Sequence, residues 1–331
     1  MKNSKTTIND ISEALGISAV SVSRALSGQP GISEELKSRI LQKAKELGYA
    51  KSKKASQLNI LVLHKKPYKE DNSNFSYMVQ GLEKSLQKHN LDYSVEFVDA
   101  NAHEKLAVPY KLSKGITFDG VILVGRFNPE YADFIQKKVN NIIYFTGYSP
   151  SYDYDCVRYN FCNAGYKQCA YLLKRNHTKI GFMGNSRQIK NQEKLLGITS
   201  ALADYNLSFN SDYYIESETE YQEKLLDLIK KKKIPSAFIC ENDFKAVELI
   251  RFLNSKNIKV PEDVSVIGSG NTDISSLSSP ALTTLDLNIG YTSDCVVETL
   301  LKRISAPDKP YESIMILSKL IERESVSNFK T

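Results

Sequence analysis

Residues 7–28 read TINDISEALGISAVSVSRALSG, and the spacing of apolar and capping residues in this stretch sets the architecture of the N-terminal end. Thr7 is an N-cap for a helix over about Ile8–Leu15, with Asp10 three residues later as a carboxylate variant of the capping box. Ile8, Ile11, Ala14 and Leu15 share one apolar face. Gly16 permits a turn. Ser18 caps a second, short helix over Ala19–Leu26, whose inward residues are Val22, Ala25 and Leu26. Ala19, Val20, Ser23 and Arg24 are left outside. The loop Ser27-Gly28-Gln29-Pro30-Gly31 breaks that helix. Ser33 caps a third helix, with Glu34 and Glu35 at its positive end. Its stripe of Leu36, Ile40, Ala44 and Leu47 stops at Gly48. Two helices joined by a tight glycine turn and braced by a third form a helix-turn-helix. Small outward residues let the second helix approach base edges in a major groove, and Arg24 can reach guanine or a phosphate. A generic three-helix bundle fits the same pattern and stays open at this point.

The charge is distributed unevenly. The first 60 residues carry ten Lys+Arg against five Asp+Glu, whereas the other 271 carry 34 against 33. A basic module on a near-neutral body implies a polyanion partner, nucleic acid first, with a merely solvated surface as the alternative. The length of 331 residues fits two or three domains, and 41% hydrophobic residues suffice for packed cores. No apolar run approaches the roughly 18–20 residues of a membrane span. The start, MKNSKTTIND, has no apolar stretch of the secretory kind. Five Cys (156, 162, 169, 240, 295), none in a Cys-x-x-Cys pair, make no disulfide framework. The expectation is a soluble cytoplasmic protein with reduced thiols and no membrane partner.

From residue 58 onward, short apolar runs alternate with helical patterns. Candidate strands are Ile60–Leu63, Val121–Gly125, Ile142–Phe145, Ile180–Gly184, Ala237–Cys240, Val264–Gly268, Leu282–Asp286 and Ile314–Leu317. Ser76–His89, Ala164–Asn176, Glu193–Tyr205 and Ala246–Asn257 read as helices between them. Alternating β and α means parallel sheets, and the number of strands suits two of them. Ligands of such folds sit at the carboxyl ends of strands, and a two-lobed version holds them between its lobes. Catalytic signatures fail in turn. Gly268-Ser269-Gly270 opens a GxGxxG pattern, but Asp273 stands at the third Gly. There is no phosphate-loop motif and no nucleophile elbow. His64, His89, His103 and His177 lack metal spacing, and Cys162 and Cys169 read as buried thiols. Neither an enzyme nor a cofactor nor a metal is expected.

TINDISEALGISAVSVSRALSG and its continuation ISEELKSRILQKAKELGY closely resemble the DNA-binding head of the LacI/GalR transcriptional regulators. That family's pattern is roughly T-I-x-D-[VI]-A-x-x-A-G-V-S-x-x-T-V-S-R-x-L-N-G. KRNHTKIGFMG, VPEDVSVIG followed by SSPALTTL, FDGVILVG and LIERES resemble the family's body. The resemblance implies an N-terminal helix-turn-helix head joined to a two-lobed periplasmic-binding-protein type I sensor with parallel sheets. The head with a short linker would span 1–57 and an effector-binding and dimerisation domain 58–331. The N-lobe would take about 58–159 and 289–316, and the C-lobe about 160–288 and 317–331. It implies a homodimer, since little sequence follows Ser325. It also implies a pseudo-palindromic double-stranded operator, and repression of a carbohydrate-use operon relieved or tuned by a sugar. Within the family the chain looks closest to regulators of galactoside use. An α/β enzyme with a DNA-binding head, or a regulator answering to a protein corepressor, are the alternatives.

The resemblance assigns residues as well. Ala19 and Val20 take the base-reading positions, where apolar side chains suit thymine methyls. Arg24 takes a further base contact. Thr7, Ser18, Ser21 and Ser23 serve as caps and phosphate ligands. Lys51 and Ser52 replace the Pro-Asn that opens the family's hinge helix, yet Ala55 and Leu58 keep its spacing. Lys51, Lys53 and Lys54 favour phosphates, and Leu58 is either a minor-groove wedge or the first strand residue. On the effector side, Asn242 and Asp243 match the family's N-D at a strand end facing the cleft. Lys194, three before Gly197, replaces an effector-gripping Arg. Phe75 lies in the loop after the first strand as a stacking aromatic, or is a core Phe. Gly147 stands where many members carry an Asp, and Asn271 in Ser269-Gly270-Asn271 substitutes for [FY]-[DN]-D.

Overall fold

The computed structural model describes residues 8–19, 21–22, 25, 32–47, 58–65, 72–147, 153–218 and 221–329. The chain forms two compact units, Met1–Leu58 and Asn59–Thr331.

In the first unit α1 (Ile8–Leu15) and α2 (Glu34–Glu46) flank helical residues Ala19, Ser21, Val22 and Ala25. The chain turns after α1, where the Ile17 amide donates back to the Ser12 carbonyl at 3.1 Å. Ile11, Val22, Ala25, Ile40 and Ala44 are buried together, with Leu15, Ile17, Ile32 and Leu36 packed around them. Two expected core residues are corrected. Ala14 and Leu47 are exposed, because Ile11 with Leu15 on α1 and Ile40 with Ala44 on α2 already fill so small a core.

The second unit has two lobes. The first lobe's sheet contains β1 (Asn59–Lys65), β2 (Asp92–Val98), β3 (Gly120–Val124), β4 (Ile142–Phe145), β5 (Asp155–Tyr159) and β11 (Ser313–Ile316). Their order is β11-β5-β4-β3-β1-β2 and every pair is parallel. β3 and β4 are buried at every residue, as parallel strands covered on both faces must be. Helices α3 (Asn72–Lys88), α4 (Ala100–Glu104), α5 (Tyr110–Ser113), α6 (Pro129–Gln136) and α12 (Ile289–Ser305) belong to this lobe. The second sheet runs β7 (Tyr214–Ile215), β6 (Ile180–Met183), β8 (Ala237–Cys240), β9 (Ser265–Ile267), again all parallel. It carries α7 (Phe161–Leu173), α8 (Ile189–Asp204), α9 (Tyr221–Lys230), α10 (Asp243–Ser255) and α11 (Asp273–Leu277). β10 (Thr284–Asp286) and β12 (Lys319–Ile321) pair antiparallel beside it.

The chain leaves the first lobe after β5, returns as α12, and leaves again after β11, so three segments link the lobes. The returning helix packs on α3 and on β3, β4 and β5. Its last turn is clasped: Arg303 donates to buried Asp155 through Nε at 2.7 Å and Nη2 at 3.1 Å. Lys309 Nζ and the Glu312 amide each reach the same carboxylate at 2.8 Å. Burial works against the Asp155 charge, and these donors outweigh it, so its carboxyl lies below the ordinary range. In the second lobe α7 and α8 touch backbone to backbone. A Cβ at Gly165 would stand 2.0 Å from the Lys194 carbonyl oxygen, and one at Gly197 would stand 1.9 Å from that of Cys162.

Candidate functional site

The head presents the N-terminal end of its middle helical stretch. Ser18 is exposed, and its Oγ accepts the Ser21 amide at 3.1 Å, the capping bond expected there. The two serine hydroxyls lie 2.9 Å apart. Ser33 likewise caps α2 through the Leu36 amide at 3.3 Å. Ala19 and Ser21 are half-buried. Thr7, Val20, Ser23, Arg24, Lys51, Lys53 and Lys54 lie outside the described residues. Leu58 is half-buried and stands one residue before β1, so it is not the first strand residue: the ladder opens at Asn59, paired with Asp92.

The cleft is built from the carboxyl ends of both sheets. The N-D pair turns inward here. Asn242 is the N-cap of α10, its Oδ1 accepting the Lys245 amide at 2.8 Å. Asp243 is fully buried. Its Oδ2 accepts the Thr272 amide at 2.8 Å and the Thr272 hydroxyl at 2.9 Å, while Oδ1 accepts from Thr284. Burial raises the Asp243 carboxyl, and the threonine donors only partly offset this. Lys194 is also buried, its Nζ donating to the Glu241 carbonyl at 3.2 Å. Burial, helped by the Lys190 charge, brings the Lys194 ammonium down to about 8. Both Asp243 oxygens and the Lys194 ammonium thus have partners within the lobe, while Asn242 spends its Oδ1 on the helix cap.

Two further assignments change. Phe75 lies on α3, not in a loop, and meets His64 edge-on at 5.0 Å, with Phe97 at 5.9 Å. Asn271 bridges: Oδ1 accepts from Arg323 Nη2 at 2.7 Å and Nδ2 donates to Asp286 at 3.3 Å. It borders a cavity of about 260 Å³ with Tyr77, Gln80, Lys84, Asp286 and Gly290. Across this opening the lobes touch, the Asp273 amide donating to the Tyr77 hydroxyl at 3.3 Å. Gly147 follows β4 with φ +66°, and a Cβ there would sit 2.2 Å from the Gly125 carbonyl oxygen. No Asp fits that position without moving the β3 end.

Sequence reasoning missed two groups. Glu241, at the end of β8, accepts the Ser217 hydroxyl at 2.7 Å and Asn191 Nδ2 at 2.6 Å. Burial would raise its carboxyl, but these donors and Lys190 hold it below the ordinary range. The run Glu-Asn-Asp at a strand end was the available signal. The second group is Lys65, His103 and Arg126, which gather at the carboxyl ends of β1 and β3 from distant parts of the chain, so no local spacing announces them. His177, by contrast, is a buried structural residue bonded to Ser236 Oγ and the Ser327 carbonyl, each at 3.0 Å.

Two family profiles match the chain. The profile described as "Bacterial regulatory proteins, lacI family" covers residues 7–52, and "Periplasmic binding protein-like domain" covers 169–326. Among curated relatives, a ribose operon repressor of Haemophilus influenzae is 23% identical over 98% of this chain and 99% of its own length. The transcriptional repressor PurR of Histophilus somni is 26% identical over 97% of this chain and 98% of its own. Among solved structures, the lac repressor dimer bound to operator and the anti-inducer ONPF superposes with a TM-score of 0.70. It has 18% identity and covers 98% of this chain and 100% of that one.

Proposed function

The chain belongs to the lacI family of bacterial regulatory proteins, and we propose that it is a repressor that reads a pseudo-palindromic operator as a homodimer. As a DNA-binding transcriptional regulator it is not an enzyme. The observation that carries the reading is the capped, small-faced helical stretch from Ser18, inside the one strongly basic section of the chain. Ala19 and Val20 are assigned to base contacts, Arg24 to a base edge, and Thr7, Ser18, Ser21, Ser23, Lys51, Lys53 and Lys54 to phosphates and caps. Leu58 is assigned to the entry of the body. The domain division follows the same reading, with the head and linker in 1–57 and the sensor in 58–331. A DNA-bound regulator works in the cytoplasm.

The sensor's ligand is a small sugar held between the lobes, and it acts on DNA affinity through its preference for one lobe arrangement. The relative named for a ribose operon supports a sugar. A galactoside-like ligand, which the linker resemblance implies, is the narrower form. Asn271 remains a candidate contact because it lines the cavity between the lobes, and Phe75 remains one by the resemblance alone. Selection of bound sequences from random duplexes tests the reading. The expected product is two inverted half-sites about one helical turn, 10 base pairs, apart or a multiple of it. An enriched site without twofold symmetry, or sedimentation equilibrium giving a monomer at saturation, contradicts it.

A further inference from the structure

The first lobe's side of the cleft gathers two cations, Lys65 and Arg126. Lys65 closes β1, and its Cβ lies 3.6 Å from where a Cβ on Gly125 would stand, at the end of β3. Arg126 follows and is exposed. Neither cation forms an ion pair with a carboxylate among the described residues. Burial and then the Arg126 charge lower the Lys65 ammonium, while Glu104 opposes them. Glu104 and Glu130, the carboxylates facing this cluster, are exposed.

His103 completes the group. Its Nε2 lies 3.1 Å from the Asn128 amide nitrogen, which can only donate. In the neutral ring the proton must then sit on Nδ1, and Nδ1 lies 3.4 Å from Lys65 Nζ. Two donors therefore face each other, with no acceptor bonded to either Lys65 Nζ or His103 Nδ1 among the described residues. Gly147 removes the carboxylate that would otherwise stand beside them, since the Gly125 peptide fills that space. On the opposite lobe both Asp243 oxygens, Asn242 Oδ1 and the Lys194 ammonium already have partners. Lys65 Nζ and the Nδ1–H of His103 together call for an acceptor, which an anion's oxygens supply.

We propose that the effector carries a phosphoryl group, seated on Lys65, Arg126 and the Nδ1–H of His103, so that the sensed molecule is a phosphorylated sugar. The inference rests on the reading of the cleft as an effector site. A phosphate monoester near neutral pH carries a charge of about −1.5 to −2, which matches two cations, and its oxygens accept from both facing donors at once. A neutral sugar's hydroxyls can accept from those donors but bring no charge to match the two cations.

Isothermal titration of the full chain tests this. The probes are ribose 5-phosphate, galactose 6-phosphate, ribose, galactose and inorganic phosphate. One ester should bind at least about tenfold tighter than its parent sugar, as expected of charge-assisted bonds. Lys65→Met with Arg126→Met should erase that preference and leave thermal unfolding within a few degrees of the parent chain. Inorganic phosphate should bind more weakly than the ester. If it binds as tightly, the anion site stands and the sugar is overturned. A neutral sugar that binds as well as its ester overturns the inference and leaves the sugar-sensing reading intact. An ester preference that survives both substitutions overturns the assignment to these residues. No binding by any probe, with operator affinity unchanged, removes both the inference and the sugar.

Discussion

Lys194 shows how burial decides a side chain's role. Its ammonium is enclosed with one carbonyl partner and an ordinary value of 10.5 lowered to about 8. A cation whose folded value is depressed destabilises the fold while charged, and stability rises with pH from the folded value to the unfolded one. Stability should therefore climb between about pH 8 and 10.5, by on the order of 3 kcal/mol. Lys194→Met should be more stable than the parent chain at pH 7 and should lose that climb. Urea unfolding at several pH values checks it, and an unchanged pH profile in the variant contradicts it. At this scale the sequence reveals local rules well. The Ser18 and Ser33 caps follow from position alone, because a cap depends on neighbours two or three residues away. Asn242 obeys the same rule and caps α10, although the motif suggests a ligand contact. The burial of Lys194 depends on α8 lying against the β8 end, which no local pattern encodes.

Among the elements, strands that alternate little and carry β-branched residues are readable, and Ile142–Phe145 and Ala237–Cys240 form as expected. β2 is not, because it is an edge strand with polar residues and little burial. α12 hides for another reason: its inner face includes Thr292, Ser293, Thr299 and Arg303, which mute the apolar period. The α7–α8 crossing makes Gly197 an element-scale determinant. A methyl there overlaps the Cys162 carbonyl, so Gly197→Ala should cost about 3 kcal/mol as the helices separate. An unchanged urea midpoint for the full chain would contradict the close crossing. In the head, Arg24→Ala should lower operator affinity about tenfold or more per half-site while scrambled DNA is bound as before. Fluorescence anisotropy on both duplexes separates the cases, and equal loss on the two would reduce Arg24 to a phosphate contact.

For the whole molecule, the basic head and the near-neutral two-lobed body are separate units, which on the proposed reading divide the work between reading DNA and sensing a ligand. Three segments link the lobes, so on the proposed reading a ligand acts by favouring one lobe arrangement, with a coupling of about 1–3 kcal/mol. This organisation is legible in the sequence because the head's motif is local and long. The cleft's chemistry is not, because Lys65, His103 and Arg126 meet only in three dimensions. The central claim is sequence-specific operator binding. Its most direct measurement is the affinity of the full chain for its selected palindrome and for a scrambled duplex at one physiological salt concentration. The account predicts a preference of at least about a thousandfold. Equal affinity for the two duplexes, weakening together as salt rises, would contradict it.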